Sequence, residues 1–283
     1  MRFFFITTDH LETRIWFRDD DDFKTGMNYV AVAAAKLGIS VIAFILMSNH
    51  VHFLLLCRED EAKGFIDFFK KIYGSYYERK YGVKRALRRN GVDIRAISTY
   101  NEGVEKVIAY IIMNSVAARI CLAPGNYRWG SGACYYNDNK EIGKQLSEYS
   151  KREQKRILKS KFELPGHWKI GAGDYVLPES YVRTDIVERV FSTPARMMYF
   201  IRTSSKAKKA LAKEGISFRD QIMQEAVKDL LVSFGKKTLA DLNHREQTEL
   251  VSQLRWRFDA DVHQISRVSG FTYSEVTGML DSL

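Results

Sequence analysis

Two histidines two residues apart, His50 and His52, head the aliphatic run His50-Val51-His52-Phe53-Leu54-Leu55-Leu56. In an extended strand alternate side chains share a face, so both imidazoles point one way and Val51 the other. Two neutral imidazoles fixed side by side on a rigid strand can grip one cation, given oxygen ligands from elsewhere. Taken alone, the pair serves equally well as two structural histidines. Further along, Tyr110 and Asn114 stand four apart in an apolar stretch and are neighbours on one helix face. A tyrosine ionises near pH ~10 and needs help to act as a nucleophile. On its own segment, Tyr110 reads as a core residue.

The elements that must position these residues follow from periodicity. Arg2 to Thr7 predicts a strand. Asp19 to Asp22 predicts a helix start, because carboxylates favour the first turn, and Gly38 ends that helix. The apolar run Ile39 to Ile45, the connection Met47-Ser48-Asn49 and the histidine run predict two adjacent strands. Glu59 to Lys80 carries Phe65, Phe68, Phe69, Ile72, Tyr73 and Tyr76 at helical spacing. A short strand over Asp93 to Thr99 and a helix over Glu102 to Ile120 follow. Strand, helix, strand, strand, helix is the order of an α+β sandwich of ferredoxin-like type, an antiparallel sheet with helices.

Charge narrows the partners. The 283 residues carry a net charge of +10, which favours a polyanion, nucleic acid before an acidic membrane surface. Arg79, Lys80, Lys84, Arg85, Arg88, Arg89 and Arg95, with Tyr81 among them, suit phosphate contact and base stacking. The same run is also what a plain solvated face looks like. No apolar stretch approaches the roughly 18 residues of a membrane span, and the start at Met1-Arg2-Phe3-Phe4-Phe5-Ile6 has no cleavable-signal pattern. Cys57, Cys121 and Cys134 form no CxxC pair, which fits a reducing cytoplasm and excludes a cysteine-built zinc site.

At this point the residues carry a resemblance. Ser48-Asn49-His50-Val51-His52 resembles the "PNHVH" motif of single-tyrosine, His-hydrophobic-His transposases. Tyr110-Ile111-Ile112-Met113-Asn114-Ser115-Val116, with Ala117 to Trp129 behind it, is similar to the "YIHLNPVRAGLV…P..Y.WSS" segment of REP-associated tyrosine transposases. The two motifs come in order, and the resemblance covers roughly residues 1–136. Ser48 stands in place of one proline, Ser115 in place of another, and Gly130 in place of the first serine after the tryptophan. The resemblance implies a His-hydrophobic-His nuclease fold, with His50, His52 and Asn114 as ligands of a divalent ion, magnesium or manganese. It implies Tyr110 as the nucleophile, giving a 5′-phosphotyrosine and a free 3′-hydroxyl at single-stranded or hairpin DNA. It also allows a homodimer with a shared site. No GxxxxGK[ST] loop points to nucleotide hydrolysis instead.

Beyond residue 136 the signals thin. Residues 137–238 read as a linker and helical extension, with a helix over Thr184 to Arg202. Residues 239–283 read as a helix over Leu239 to Phe258 and then a helix-turn-helix candidate around Ser269-Gly270-Phe271-Thr272. Its phosphate contacts would come from Lys206, Lys208, Lys209, Arg255, Arg257 and Arg267. The leading expectation is a cytoplasmic transposase-type nuclease and strand transferase, and the alternative is a non-catalytic DNA-binding regulator of the same fold. An unrelated metal hydrolase is disfavoured because no carboxylate cluster accompanies the histidines in the sequence.

Overall fold

The computed structural model describes residues 1–8, 15–85, 87, 91–138, 141–204, 220–258 and 260–282. The chain begins β1 (Arg2–Thr8), α1 (Asp20–Leu37), β2 (Ser40–Met47), β3 (His50–Cys57), α2 (Glu59–Tyr81) and β4 (Val92–Ile97). The four strands form one sheet in the order β2-β3-β1-β4, with every neighbour antiparallel. The fold is thus α+β, with a four-stranded antiparallel sheet, helices and a helical C-terminal region.

Register decides which side chains meet. Thr7 lies opposite His52 on one side and Asp93 on the other, while Phe5 lies opposite Leu54 and Arg95. One sheet face, bearing Phe4, Ile6, Val51, Phe53 and Leu55, is buried beneath α1 and α2. There the ring of Phe53 meets Phe65 and Phe69 edge-on, with centroids 5.2 and 5.5 Å apart. The opposite face carries His50, His52, Phe5, Thr7, Asp93 and Arg95, and α3 (Gly103–Ile112) packs against it.

The acidic run starts α1 as expected. The Asp19 side chain caps the helix by accepting from the Asp22 amide at 2.9 Å, and Gly38 closes it in the left-handed region at φ 65°. The carboxylates are then drawn into a network. Lys80 bridges Asp19, Asp21 and Asp22, Lys159 pairs with Asp21, and the hydroxyls of Tyr76 and Tyr81 donate to Asp22 at 2.8 and 2.7 Å. Burial pushes the Asp21 carboxyl up, but hydrogen bonds from Lys159 and Tyr76 and the charges of Lys159 and Lys80 outweigh it and hold Asp21 at about 2.

The outer edge of β2 explains the aromatic segment after α3. Leu46 N–H donates to the Trp129 carbonyl and Ser131 N–H to the Phe44 carbonyl, so Trp129–Ser131 runs alongside the edge. Tyr127 Oη donates to the Leu46 carbonyl at 2.8 Å, and Ser131 Oγ accepts the Phe44 amide at 2.9 Å. A Cβ on Gly130 would sit 2.8 Å from the Phe44 carbonyl oxygen, so the close approach requires glycine there. Farther along, Val182 bridges Val41 and Arg183 N–H donates to the Val41 carbonyl. Edge pairing of this kind withdraws the strand's open hydrogen-bonding groups from other chains.

The stretch expected as linker and helical extension over 137–238 carries regular elements among its described residues. After the four-residue α4 (Asn114–Ala117), it supplies β5 (Lys144–Gln145), α5 (Lys151–Leu158), β6 (Lys169–Ile170), α6 (Thr184–Phe191) and α7 (Pro194–Thr203). Leu146, Leu158, Trp168, Val176, Val187, Phe191 and Phe200 are buried in the same hydrophobic core as the sheet. The expected single helix over Thr184 to Arg202 is two, because Ser192 takes a positive φ of 63° and Thr193 caps a second helix with Pro194 at its first position. A second core joins α8 (Asp220–Ser233), α9 (His244–Phe258), α10 (Val262–Ser269) and α11 (Tyr273–Asp281), with Ile15 inserted into it. Among the described residues, the first core runs on to Phe200, and apart from Ile15 the second begins at Met223.

Two predictions follow from this packing. Asn28, buried on α1, donates to the Ile157 carbonyl at 2.9 Å and accepts from the Val176 amide at 2.8 Å. Asn28→Ala strands both groups and should lower unfolding free energy by about 2 kcal/mol or more in urea titration; parent-like stability would detach residues 137–203 from the core. Because the Asp21 carboxyl is depressed, its stabilisation is full above the ordinary 3.8 and is lost as pH falls through about 2. The stability gap between the parent and Asp21→Asn should therefore be constant at neutral pH and close over that acid range.

Candidate functional site

His50 and His52 project from the start of β3 onto the face covered by α3. Their rings meet edge to face with centroids 4.8 Å apart. Tyr110 comes down from α3 and sets its ring edge-on to His52, at 5.6 Å, and to Phe5, at 5.9 Å. Phe5 in turn stacks on His52 at 5.6 Å. Residues distant in sequence thus share one patch, assembled within a single chain. Phe5 is legible in the alternation of Phe3, Phe5 and Thr7 along β1.

Asn49 is the positioning residue that the motif reading passed over. It is buried, and its Oδ1 lies 2.9 Å from His50 Nδ1. An amide oxygen only accepts, so in this contact His50 Nδ1 carries the hydrogen, and in the neutral ring Nε2 is then the nitrogen with the lone pair. A hydrogen bond to the far nitrogen of this kind fixes tautomer and ring orientation in metal-binding histidines.

The expected helix over Glu102 to Ile120 ends early. It breaks at Met113 and resumes for one turn as α4. Asn114 is the physical cause, since its side-chain amide donates to the carbonyls of Tyr110 at 2.8 Å and Ile111 at 3.1 Å. The break occurs without the proline found at position 115 in the resembling segment. Spending the NH2 on the helix leaves the Asn114 carboxamide oxygen as its remaining acceptor. The start of α3 is held from outside, where Arg196 of α7 reaches Glu102 at 3.3 Å and Glu105 at 3.1 Å.

Electrostatics at Tyr110 pull two ways. Burial pushes its phenol up, and the nearby Arg95 guanidinium offsets this only in part, so the phenol stays above its ordinary range. Arg95 also pairs with Asp93, its neighbour on the same strand face. The residue types fit a divalent cation, with two imidazoles, one of them already oriented, although His52 is buried with both ring nitrogens shielded from solvent. No carboxylate cluster among the described residues joins the histidines. Among the described residues, Asp19, Asp21 and Asp22 are the one group of three acidic, histidine or cysteine side chains whose ligand atoms converge. Lys80, Lys159, Tyr76 and Tyr81 already answer those carboxylates, so they read as a structural network.

The basic stretch is divided by the fold. Lys80, expected among the DNA-contacting residues, is paired with Asp19, Asp21 and Asp22. Arg79 lies beside the Tyr29 hydroxyl, Lys84 and Arg85 are exposed, and Arg95 stands at the tyrosine patch. Arg88 and Arg89 lie outside the described residues, as do Lys206, Lys208 and Lys209. In the C-terminal unit Arg255 donates to the Ala260 carbonyl, Arg267 is bound to Asp220, and Arg257 is exposed. α10 and α11 are joined through Gly270 at φ 76° and the capping residue Thr272, but α11 carries Glu275 and Asp281 and no basic residue.

No family model, curated protein or solved structure matches the chain. Among the described residues, no helix is long and apolar enough to cross a membrane. The site is therefore read from its own geometry. If Arg95 lowers the Tyr110 phenol, Arg95→Gln should raise that residue's pKa and Asp93→Asn should lower it. Ultraviolet titration against Tyr110→Phe as a blank reads both, and equal titration in all three proteins would remove Arg95 from the site.

Proposed function

We propose that this chain is a metal-dependent single-strand DNA endonuclease and strand transferase of the transposase type, acting on single-stranded or hairpin DNA. The observation that carries the reading is the meeting of the Tyr110 ring with His52, at 5.6 Å, with the His50 ring in turn 4.8 Å from that of His52. A tyrosine beside two cation-competent imidazoles can support phosphoryl transfer through a phenol. The strand order β2-β3-β1-β4, with α1 and α2 on one face, supports the ferredoxin-like, His-hydrophobic-His nuclease fold. Three scattered cysteines with no CxxC pair suit a reducing cytoplasm.

The roles follow from the residues. His50 and His52 would hold magnesium or manganese with the Asn114 carboxamide, and the ion would supply charge stabilisation at the scissile phosphate. Tyr110 loses its phenolic proton to solvent, and its oxygen forms a bond to phosphorus. The bond from phosphorus to the 3′ oxygen breaks, and that oxygen leaves to become a 3′-hydroxyl. The strand stays attached to Tyr110 as a 5′-phosphotyrosine, which conserves the bond for rejoining. Arg95 favours the phenolate, and Lys84 and Arg85 are exposed where they can meet backbone phosphates.

Incubation with hairpin-bearing single-stranded oligonucleotides and Mn2+ tests this directly. The parent should give a covalent protein–DNA band that EDTA prevents, and His50→Ala or His52→Ala should abolish it. Tyr110→Phe should bind the same DNA within about twofold but form no adduct, since only a hydroxyl is lost. Asn114→Ala should be milder, because water can replace a neutral amide oxygen. DNA binding by the parent without any adduct would favour the non-catalytic regulator. An adduct that persists in Tyr110→Phe would move the nucleophile elsewhere.

A further inference from the structure

Asp220 opens α8, far in sequence from the histidine strand, yet it is buried to 3% exposure against the β2–β3 connection. Its carboxylate accepts the Ser48 hydroxyl, Gln264 Nε2 at 3.0 Å, and Arg267 Nε and Nη2 at 3.1 and 3.3 Å. One donor therefore comes from the turn that precedes His50, and the rest come from α10. The next residue, Gln221, donates to the Phe17 carbonyl. The Ser48 carbonyl also accepts the amides of Trp16, at 2.7 Å, and Phe17, at 3.0 Å, so α8 grips both segments that frame the turn. Asn49, the following residue, orients His50.

We propose that Asp220 is a positioning residue for the histidine pair, tying the turn that presents His50 to the C-terminal helical unit through the Ser48 hydroxyl. This rests on the proposed cation role of His50 and His52. The contacts form one unbroken path: α10 holds Asp220, Asp220 holds Ser48, and the adjoining Asn49 holds His50. Proline at position 48, as in the resembling motif, has no hydroxyl with which to make this contact. The C-terminal unit then has a task at the site that does not depend on touching DNA. Its second core fixes α8 and α10, and their hold on Asp220 fixes the turn.

The test uses the full chain, with two readouts. Free Mn2+ is followed by electron paramagnetic resonance during titration, and hydrogen exchange is followed over residues 47–51. Removing a group that orients a metal ligand costs about 10–100-fold in affinity, so Ser48→Ala and Asp220→Asn should each weaken Mn2+ by at least about tenfold. The double variant should be no weaker than Asp220→Asn alone, and Ser48→Thr, which keeps the hydroxyl, should stay close to the parent. Exchange over the turn should quicken in both single variants. Parent-like Mn2+ affinity in Ser48→Ala, or additive losses in the double variant, would overturn the proposal, and Ser48→Ala leaves the C-terminal core intact should Asp220→Asn disturb it. If the parent takes up no Mn2+, the cation role itself falls. The exchange data then decide the tie alone, with quickened exchange supporting it and unchanged exchange overturning it.

Discussion

The site depends first on the antiparallel ladder that pairs Thr7 with His52 and Arg2 with Cys57. Side chains on a strand alternate with a period of two, so a slip of one residue would carry both histidines into the core under α1 and α2. The apolar side of β3 prevents this. Val51, Phe53 and Leu55 are fully buried against the aromatic stripe of α2, and their exposure would cost far more than the histidines could recover. Hydrophobic burial on one face thus sets the direction of the polar groups on the other.

The same ladder brings in the rest of the patch. Pairing of β1 with β4 places Arg95 across from Phe5, and Phe5 touches both His52 and Tyr110. α3 needs more than the sheet to stay in place. Arg196 of α7 anchors its first turn, and Asn114 sets where it stops. The region after residue 136 is accordingly structural to the site, since α7 braces the tyrosine helix and α8 reaches the histidine turn.

Much of this was legible in the sequence. The β1–α1–β2–β3–α2–β4 order, the capping aspartates and the shared face of His50 and His52 follow from local patterns that the tertiary structure does not override. The losses have physical causes. Trp129 and Ser131 read as family marks, yet their structural task is to close the β2 edge, which only a partner strand reveals. Residues 137–161 look polar because α5 buries little beyond Ile157 and Leu158, so the segment resembled a linker. Lys80 looked available to phosphate because the aspartates it neutralises lie a long way back in the chain. The Ser48–Asp220 contact has no local signal at all, because its partners lie 172 residues apart in the sequence.

The central claim is that a cation sits at the histidine pair beside Tyr110 and not in the acidic network at the start of α1. Paramagnetic broadening by substoichiometric Mn2+ in protein carrying 13C-labelled tyrosine and histidine rings distinguishes the two places. Tyr110, assigned with Tyr110→Phe, should lose its ring signals together with His50 and His52, while Tyr76 and Tyr81 beside Asp19, Asp21 and Asp22 remain sharp. Loss of Tyr76 and Tyr81 first, with Tyr110 unaffected, would place the cation on the carboxylates and contradict the reading.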